Sequence, residues 1–324
     1  MIVIYVKTTN RCQLQCKHCY NTISPFKGDM SETVIKETID LINKKSQEDK
    51  VLVIFHGGEP VASGLKPLQD ITYALKDNPN VNITITTNLV YTITPEHIEL
   101  FKHFTNTDGK PLISTSWDYK IRFKDKQEDL WRSNVKMLIE QGFNIAPIVC
   151  VTKDLIENIK PEDLYNDFKS LGITRMNFER LTLTGRAEDG ILKPLNRDVD
   201  KWLYDAYKCR GDLIISLFTS LEESIINNNK VGCRARHCQR NVITINPNGT
   251  IAGCPNCSNK IYAMTNGFYN QKKFESLCNE EEIKNNECYT CELYEYCNGD
   301  CYQLKSDESG CPGLKLIIKD ILQK

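Results

Sequence analysis

Short apolar, β-branched runs alternate with amphipathic stretches over the first two thirds of the chain. The candidate strands are Ile2–Lys7, Val51–Phe55, Val81–Thr87, Leu112–Ser116, Asn144–Val151 and Ile173–Phe178. Most are close to continuously apolar, the pattern of strands covered on both faces. Between them, apolar residues recur at helical spacing. Ser31 can cap a helix that carries Val34, Ile35, Ile39 and Ile42 on one side. Pro95 suits the first turn of Glu96–Phe104. Glu128–Gln141 and Pro161–Leu171 each run into a glycine, Gly142 and Gly172, that can end a helix. Six such β–α repeats predict an α/β fold wound as a partial (β/α)6 TIM-type barrel, with an open doubly wound sheet as the alternative. In both, ligands gather at the C-terminal ends of the strands, because the βα loops lie there.

After Asn227 the texture changes. Residues 228–313 are loop-rich and hold ten of the fifteen cysteines. A core that small needs staples, and bound metal can supply them. The expected organisation is a barrel over residues 1–227, a cysteine-rich domain over 228–313 and a C-terminal helix over 314–324 that packs back on the body.

Composition narrows the setting. The N-terminal MIVIYVKTTNRC lacks the basic region, long apolar stretch and cleavage site of a signal peptide. No apolar run approaches the roughly 20 residues that a membrane span needs. The formal net charge of −1 provides no global field for nucleic acid or an anionic membrane. A cytoplasmic protein with neither as partner is expected, and clustered cysteines in a reducing compartment point to metal rather than disulfides.

The first constellation is TTNRCQLQCKHCYN, directly after the first strand, with Cys12, Cys16 and Cys19 spaced by four and three. Three thiolates can converge on a cubane cluster and leave one iron without a protein ligand, which opens a coordination site. A zinc knuckle completed by His18 or His56 is the competing reading. The second constellation, His56-Gly57-Gly58-Glu59-Pro60, ends the second strand. Its glycines let backbone approach a ligand closely, and Glu59 can accept from an ammonium group.

Together these motifs resemble the radical S-adenosylmethionine (SAM) superfamily. The resemblance implies a SAM-binding 4Fe–4S cluster on Cys12, Cys16 and Cys19, with His18 at the motif's aromatic position and Tyr20 after it. It also implies contacts to SAM from Gly57, Gly58, Glu59 and Pro60. In the family, reductive cleavage of SAM yields a 5′-deoxyadenosyl radical that abstracts hydrogen from substrate. TITTNL is similar to the family's Thr-Asn-Gly, making Asn88 a SAM contact, although Leu89 replaces the glycine. STSWD resembles a further strand-end motif, with Ser116 as a SAM contact and Asp118 facing substrate instead. Arg132 stands near where relatives carry an arginine for the SAM carboxylate. Glu179 and Arg180 close the sixth strand and should rim the pocket.

The C-terminal cysteines resemble a SPASM domain. After Cys238 come ten residues, Gly249, four residues and Cys254, then Cys288, Cys291, Cys297, Cys301 and Cys311. The insert VITINPNGTIAGC reads as a hairpin turned at Asn248-Gly249, and Cys233 can supply an eighth ligand. By resemblance, one auxiliary 4Fe–4S cluster takes Cys233, Cys238, Cys254 and Cys301, and a second takes Cys288, Cys291, Cys297 and Cys311. Two zinc ribbons are the alternative. Cys257 is a spare ligand or a hydrogen-atom donor. Three clusters, SAM and a flavodoxin- or ferredoxin-type electron donor are thus expected. The implied activity is modification of a peptide or protein by crosslinking, oxidation or epimerisation, with Asp118, Glu179 and Cys257 as catalytic candidates. A small-molecule dehydrogenase or biosynthetic enzyme is the alternative. Relatives often carry an N-terminal peptide-recognition domain ahead of the first cysteine. Here that task is expected to fall to the barrel rim or to a separate recognition protein.

Overall fold

The computed structural model describes residues 1–23, 26–107, 109–228, 241–257, 264–265, 268–269, 286–301 and 303–323. Six parallel strands form the body of one sheet: β1 (Ile2–Thr9), β2 (Val51–Gly57), β3 (Val81–Thr87), β4 (Lys110–Trp117), β5 (Asn144–Val151) and β6 (Arg175–Arg180). They neighbour one another in chain order. The crossover helices are α1 (Glu32–Ser46), α2 (Lys66–Leu75), α3 (Pro95–Phe101), α4 (Gln127–Glu140) and α5 (Pro161–Ser170). Ser31 caps α1 by accepting from the Val34 N–H. Two further helices follow β6, α6 (Asn196–Cys209) and α7 (Ser216–Ile226).

The sixth strand starts two residues later than the apolar pattern places it. Gly172 takes φ +86°, and the Ile173 N–H bonds back to Phe168 O at 3.1 Å, so Ile173 closes α5 instead of opening β6.

Much of the sheet is covered on one face only, which corrects the expectation of two, while residues 6–9 of β1, 83–85 of β3 and 149–151 of β5 are buried on both. Val53 and Phe55, Ile113 and Trp117, Ile145 and Val149, and Met176 and Phe178 are buried on the helix side. Trp117 meets Phe168 of α5 edge-on, and Phe178 does the same with Trp202 of α6. On the other face Ile54, His56, Ser114, Ser116, Ile148 and Asn177 stay partly exposed, and Glu179 is exposed. A closed eight-stranded barrel fills this space with side chains. The partial barrel leaves it open, and the apolar look of the strands comes from one packed face plus small or amphipathic inner residues.

The cysteine-rich part is tied into the same sheet. β7 (Val242–Ile245) pairs in parallel with β1, Val3 opposite Val242, and β8 (Ile251–Ala252) folds back on it antiparallel. Gly249 holds φ +80° in the turn between them. The last helix, α8 (Lys315–Leu322), buries Ile317, Ile318 and Ile321, and its Asp320 bonds Tyr204 and Lys208 of α6.

Candidate cluster and cofactor site

The loop carrying Cys12, Cys16 and Cys19 leaves the C-terminal end of β1 and is pinned from several sides. Asn10 Nδ2 donates to Phe26 O at 2.9 Å, Lys17 N to Ile121 O at 3.0 Å, and Arg186 N to Cys19 O at 3.1 Å. The end of β2 docks on the same backbone, with Gly58 N donating to Thr9 O at 3.0 Å and Glu59 N to Arg11 O at 2.8 Å. A Cβ on Gly57, at φ +132°, would lie 2.3 Å from Thr9 O, and one on Gly58 would lie 2.0 Å from Arg11 O. The close approach these glycines permit is therefore made to the cysteine loop itself, where the sequence suggested a ligand.

Glu59 is 1% exposed. Its Oε1 accepts from Thr87 Oγ1 at 2.7 Å and its Oε2 from Asn88 N at 2.7 Å, so it ties the end of β3 to the loop after β2. Pro60, also buried, opens the short turn that Glu59 caps. Burial raises the Glu59 carboxyl to about 7, against these hydrogen bonds. A raised acid holds its proton longer folded than unfolded. Its contribution is full below about pH 4.5 and is lost as pH rises to about 7. Glu59→Gln has no such loss. In urea unfolding of SAM-free protein, the stability of the variant relative to wild type should improve by on the order of 3 kcal/mol between pH 4.5 and 7.5.

Asn88 is buried beyond β3, and its Nδ2 lies 3.7 Å from Cys12 Sγ. Leu89 beside it holds φ 51°, the left-handed conformation a glycine would take freely, and its side chain is fully buried. The packing of that side chain outweighs a backbone cost of about 1 kcal/mol.

On the other side of the loop, Cys16 neighbours a charged network that joins the expected Asp118 and His18 to Arg122, which no sequence motif singled out. Arg122 Nε donates to Asp118 Oδ2 at 2.6 Å, Cys150 N donates to Asp118 Oδ1 at 2.8 Å, and His18 Nε2 lies 3.4 Å from Oδ2. Despite the desolvation of a fully enclosed carboxyl, Arg122, His18 and the Cys150 N–H hold Asp118 below its ordinary pKa. Arg122 stays protonated against its burial, aided by the Asp118 carboxylate. Its two Nη groups make no hydrogen bond among the described residues. His18 Nδ1 is likewise buried without a partner there. Ligand atoms of His18, Asp118 and Cys150 come within 4.8 Å of one another. The Arg122 cation already occupies Asp118, so this group reads as a hydrogen-bond network rather than a cation site.

Arg132 is placed differently. It pairs with Glu128 at 3.0 Å and Asp167 at 2.8 Å on the outer surface of α4, so both sides of its guanidinium are taken. Ser116 lies on the inner face of β4, and Glu179 on that of β6, where Asn177 Nδ2 donates to it at 3.0 Å. Glu179 keeps surface exposed yet is crowded by protein, and this desolvation raises its pKa.

Tyr20 closes the cysteine loop. Its hydroxyl meets His56 Nδ1 at 2.9 Å, the rings stack at 6.1 Å, and the buried Lys7 ammonium sits 5.3 Å from the Tyr20 ring. Burial, with Lys7 nearby, lowers His56 to about 3, so the imidazole is neutral.

The three thiols fit a metal cluster. They follow one strand end, and Cys19 N donates to Cys16 O at 3.3 Å across the loop. Desolvation, with Cys16 and Cys19 adding to it, pushes the Cys12 thiol up to about 12. The Cys12 and Cys16 thiols, crowded by protein and disfavoured as free thiolates, become anionic ligands when metal supplies the compensating charge. The radical SAM superfamily profile matches residues 6–171, half of the chain, including Cys12, Cys16, Cys19, Gly57, Gly58, Glu59 and Pro60. The chain belongs to the radical SAM superfamily.

Membership in the radical SAM superfamily brings a 4Fe–4S cluster and SAM. Among solved structures the chain is similar to anSMEcpe with bound AdoMet and the Cp18Cys peptide, at 17% identity and TM-score 0.74, covering 99% of this chain and 95% of that one. It is also similar to Streptococcus suis SuiB bound to the precursor peptide SuiA, at 18% identity and TM-score 0.65, covering 93% and 72%. These likenesses show that the fold is shared along nearly the whole chain. No curated protein matches it. Among the described residues no helix is long and apolar enough to cross a membrane.

At the far end of this radical SAM chain, Cys288, Cys291, Cys297 and Cys311 come together. A Cβ on Gly313 would lie 3.5 Å from both Cys297 Sγ and Cys311 Sγ. Desolvation, with Asp300, Cys311 and Cys288 adding to it, pushes the Cys297 thiol up to about 12. Lys315 bonds Cys311 and feels Cys291. Arg180 reaches across from the end of β6, away from the lumen. It donates to Asp300 Oδ1 at 2.7 Å and to Pro312 O at 3.0 Å. Cys254 and Cys301 are partly buried. Cys233 and Cys238 lie outside the described residues, as does the side chain of Cys257.

Proposed function

We propose that this radical SAM enzyme modifies a peptide or protein and carries three 4Fe–4S clusters. When bound at Cys12, Cys16 and Cys19, the cluster and SAM supply on reduction the radical that takes a hydrogen atom from the substrate. The residues of the chain contribute position. Arg122 offers a planar pair of unspent Nη groups beside the thiols, a shape matched to a carboxylate. We therefore assign Arg122 to the SAM carboxylate in place of Arg132. Asp118 orients that guanidinium and balances its charge. Glu59 holds the strand ends together and keeps lone pairs for the SAM ammonium. Gly57, Gly58 and Pro60 shape the loop around it. The buried, unpartnered His18 Nδ1 is free to meet the cofactor, and Ser116 faces it from β4. Tyr20, bonded to His56, walls the site.

Cys288, Cys291, Cys297 and Cys311 are assigned to one auxiliary cluster, and Cys233, Cys238, Cys254 and Cys301 to the other. Glu179, open to the lumen with a raised pKa, is the group best suited to take a proton from substrate. A flavodoxin- or ferredoxin-type protein is the proposed electron donor, and peptide recognition falls to the rim or to a separate protein.

The observation that carries the peptide reading is the whole-length likeness to anSMEcpe, whose structure holds both AdoMet and a peptide. The open inner face of β4 to β6 supports it, since a peptide side chain needs such a lumen. The test is deuterium transfer. With the reduced enzyme and SAM, peptides from a proteolysed deuterated proteome should pass deuterium into 5′-deoxyadenosine. Transfer from deuterated sugars or amino acids, with none from peptides, would instead establish the small-molecule reading.

A further inference from the structure

Cys12 differs from Cys16 in what surrounds its sulfur. Two N–H donors converge on Cys12 Sγ, the Leu14 backbone at 3.4 Å and Asn88 Nδ2 at 3.7 Å. The orientation of the Asn88 amide is not free. Its Oδ1 accepts from Gln13 Nε2 at 3.0 Å and from Val90 N at 2.8 Å. A backbone N–H can only donate, so the oxygen must lie on that side and the amide nitrogen must face the sulfur. Gln13 is oriented in turn by a second bond from Nε2 to Val90 O at 2.9 Å. The Asn88 backbone is fixed as well, through its N–H to Glu59 Oε2 at 2.7 Å.

We propose that Asn88 is a positioning residue that acts through Cys12, donating an N–H···S bond that raises the reduction potential of the SAM-binding cluster. The reduced cluster carries more negative charge on its sulfurs, so a donor aimed at a ligand sulfur stabilises it more than the oxidised form. This differs from the SAM contact implied by resemblance, and it rests on the reading of Cys12 as a cluster ligand. It also gives the bonds around Glu59 and Gln13 a shared purpose, since each holds part of Asn88 in place.

The test is an EPR-monitored potentiometric titration of the anaerobically reconstituted full chain without SAM. The first cluster is identified as the reduced signal whose shape changes when SAM is then added. Asn88→Ala should lower the equilibrium constant for its reduction about tenfold, which is about 59 mV for a one-electron couple. Asn88→Asp keeps the shape but puts an acceptor where the donor was, and should lower it further. Gln13→Leu removes one of the two donors that hold the Asn88 oxygen and leaves the Val90 N–H, so the amide is held less firmly and a smaller shift in the same direction should follow. Unchanged potentials in Asn88→Ala and Asn88→Asp, with iron content retained, would overturn the proposal. If those variants lose the first cluster, Gln13→Leu decides, and no shift there overturns it. A wild-type enzyme with no SAM-sensitive signal would overturn the cluster assignment itself, and this inference with it.

Discussion

Gly58→Ala is expected to strip the first cluster from the enzyme and abolish SAM cleavage while leaving the rest of the barrel folded. The added Cβ would lie 2.0 Å from Arg11 O and 2.6 Å from Arg11 C. Both are backbone atoms one residue before Cys12, so no side chain can swing aside. Relief requires the strand end and the cysteine loop to separate, which breaks Gly58 N to Thr9 O and Glu59 N to Arg11 O. Two hydrogen bonds at about 1 kcal/mol each and about 1–3 kcal/mol of overpacking sum to roughly 3–5 kcal/mol. That cost falls on a loop whose cysteines must stand in register. Iron should drop by about four per chain, with the far-UV circular dichroism unchanged. Gly64→Ala is the control. Gly64 also has positive φ, +83°, but no atom lies within 4 Å of its Cβ position. With ψ 172° it lies in a region that only glycine adopts readily, so the variant should cost about 1–3 kcal/mol in backbone strain and no iron.

Arg122→Met should do two separable kinds of damage. Asp118 is 2% exposed, and losing its guanidinium partner leaves a buried carboxylate held only by the Cys150 N–H and His18. Breaking a buried pair from one side costs about 3–5 kcal/mol. Adding Asp118→Asn removes the stranded charge and should recover much of that stability. The second loss is to SAM. A charge-assisted contact worth about 1.5–3 kcal/mol corresponds to roughly 10–100-fold in affinity, and the double variant should not regain it. Arg132→Ala should change SAM affinity little and stability by about 1 kcal/mol or less, because its ion pairs are half-exposed. Urea unfolding and equilibrium dialysis with labelled SAM measure both effects. Equal SAM affinity in Arg122→Met and wild type would return the carboxylate assignment to another residue.

The barrel was legible because each strand carries its own apolar run and each helix its own stop. Gly142 and Gly172 mark ends that the structure keeps. The start of β6 was not, since Ile173 looks like a strand residue until its N–H is seen to close the preceding helix. The cysteine and His-Gly-Gly-Glu-Pro motifs stood out because their chemistry is local in sequence. Arg122 did not. It sits in a loop among Lys120, Lys124 and Lys126, and only its spacing of four from Asp118 hinted at a pair. Arg132 looked better placed until Asp167, 35 residues away, closed the other side of its fork. The parallel pairing of Val3 with Val242, and the meeting of Arg180 with Asp300, join segments more than 100 residues apart. Only the assembled sheet could bring such partners together. The roles of Gly57 and Gly58 were half legible: the need for close approach was readable, and the backbone that makes it was not.

We assign the cluster on which SAM is cleaved to Cys12, Cys16 and Cys19. Reconstituting the Cys12/Cys16/Cys19→Ala triple variant anaerobically beside wild type tests that assignment most directly. Iron and 5′-deoxyadenosine formed under dithionite are then measured in both. About twelve irons per chain in wild type and about eight in the variant are expected, with 5′-deoxyadenosine formed only by wild type. A variant that still forms 5′-deoxyadenosine at the wild-type rate would contradict the assignment.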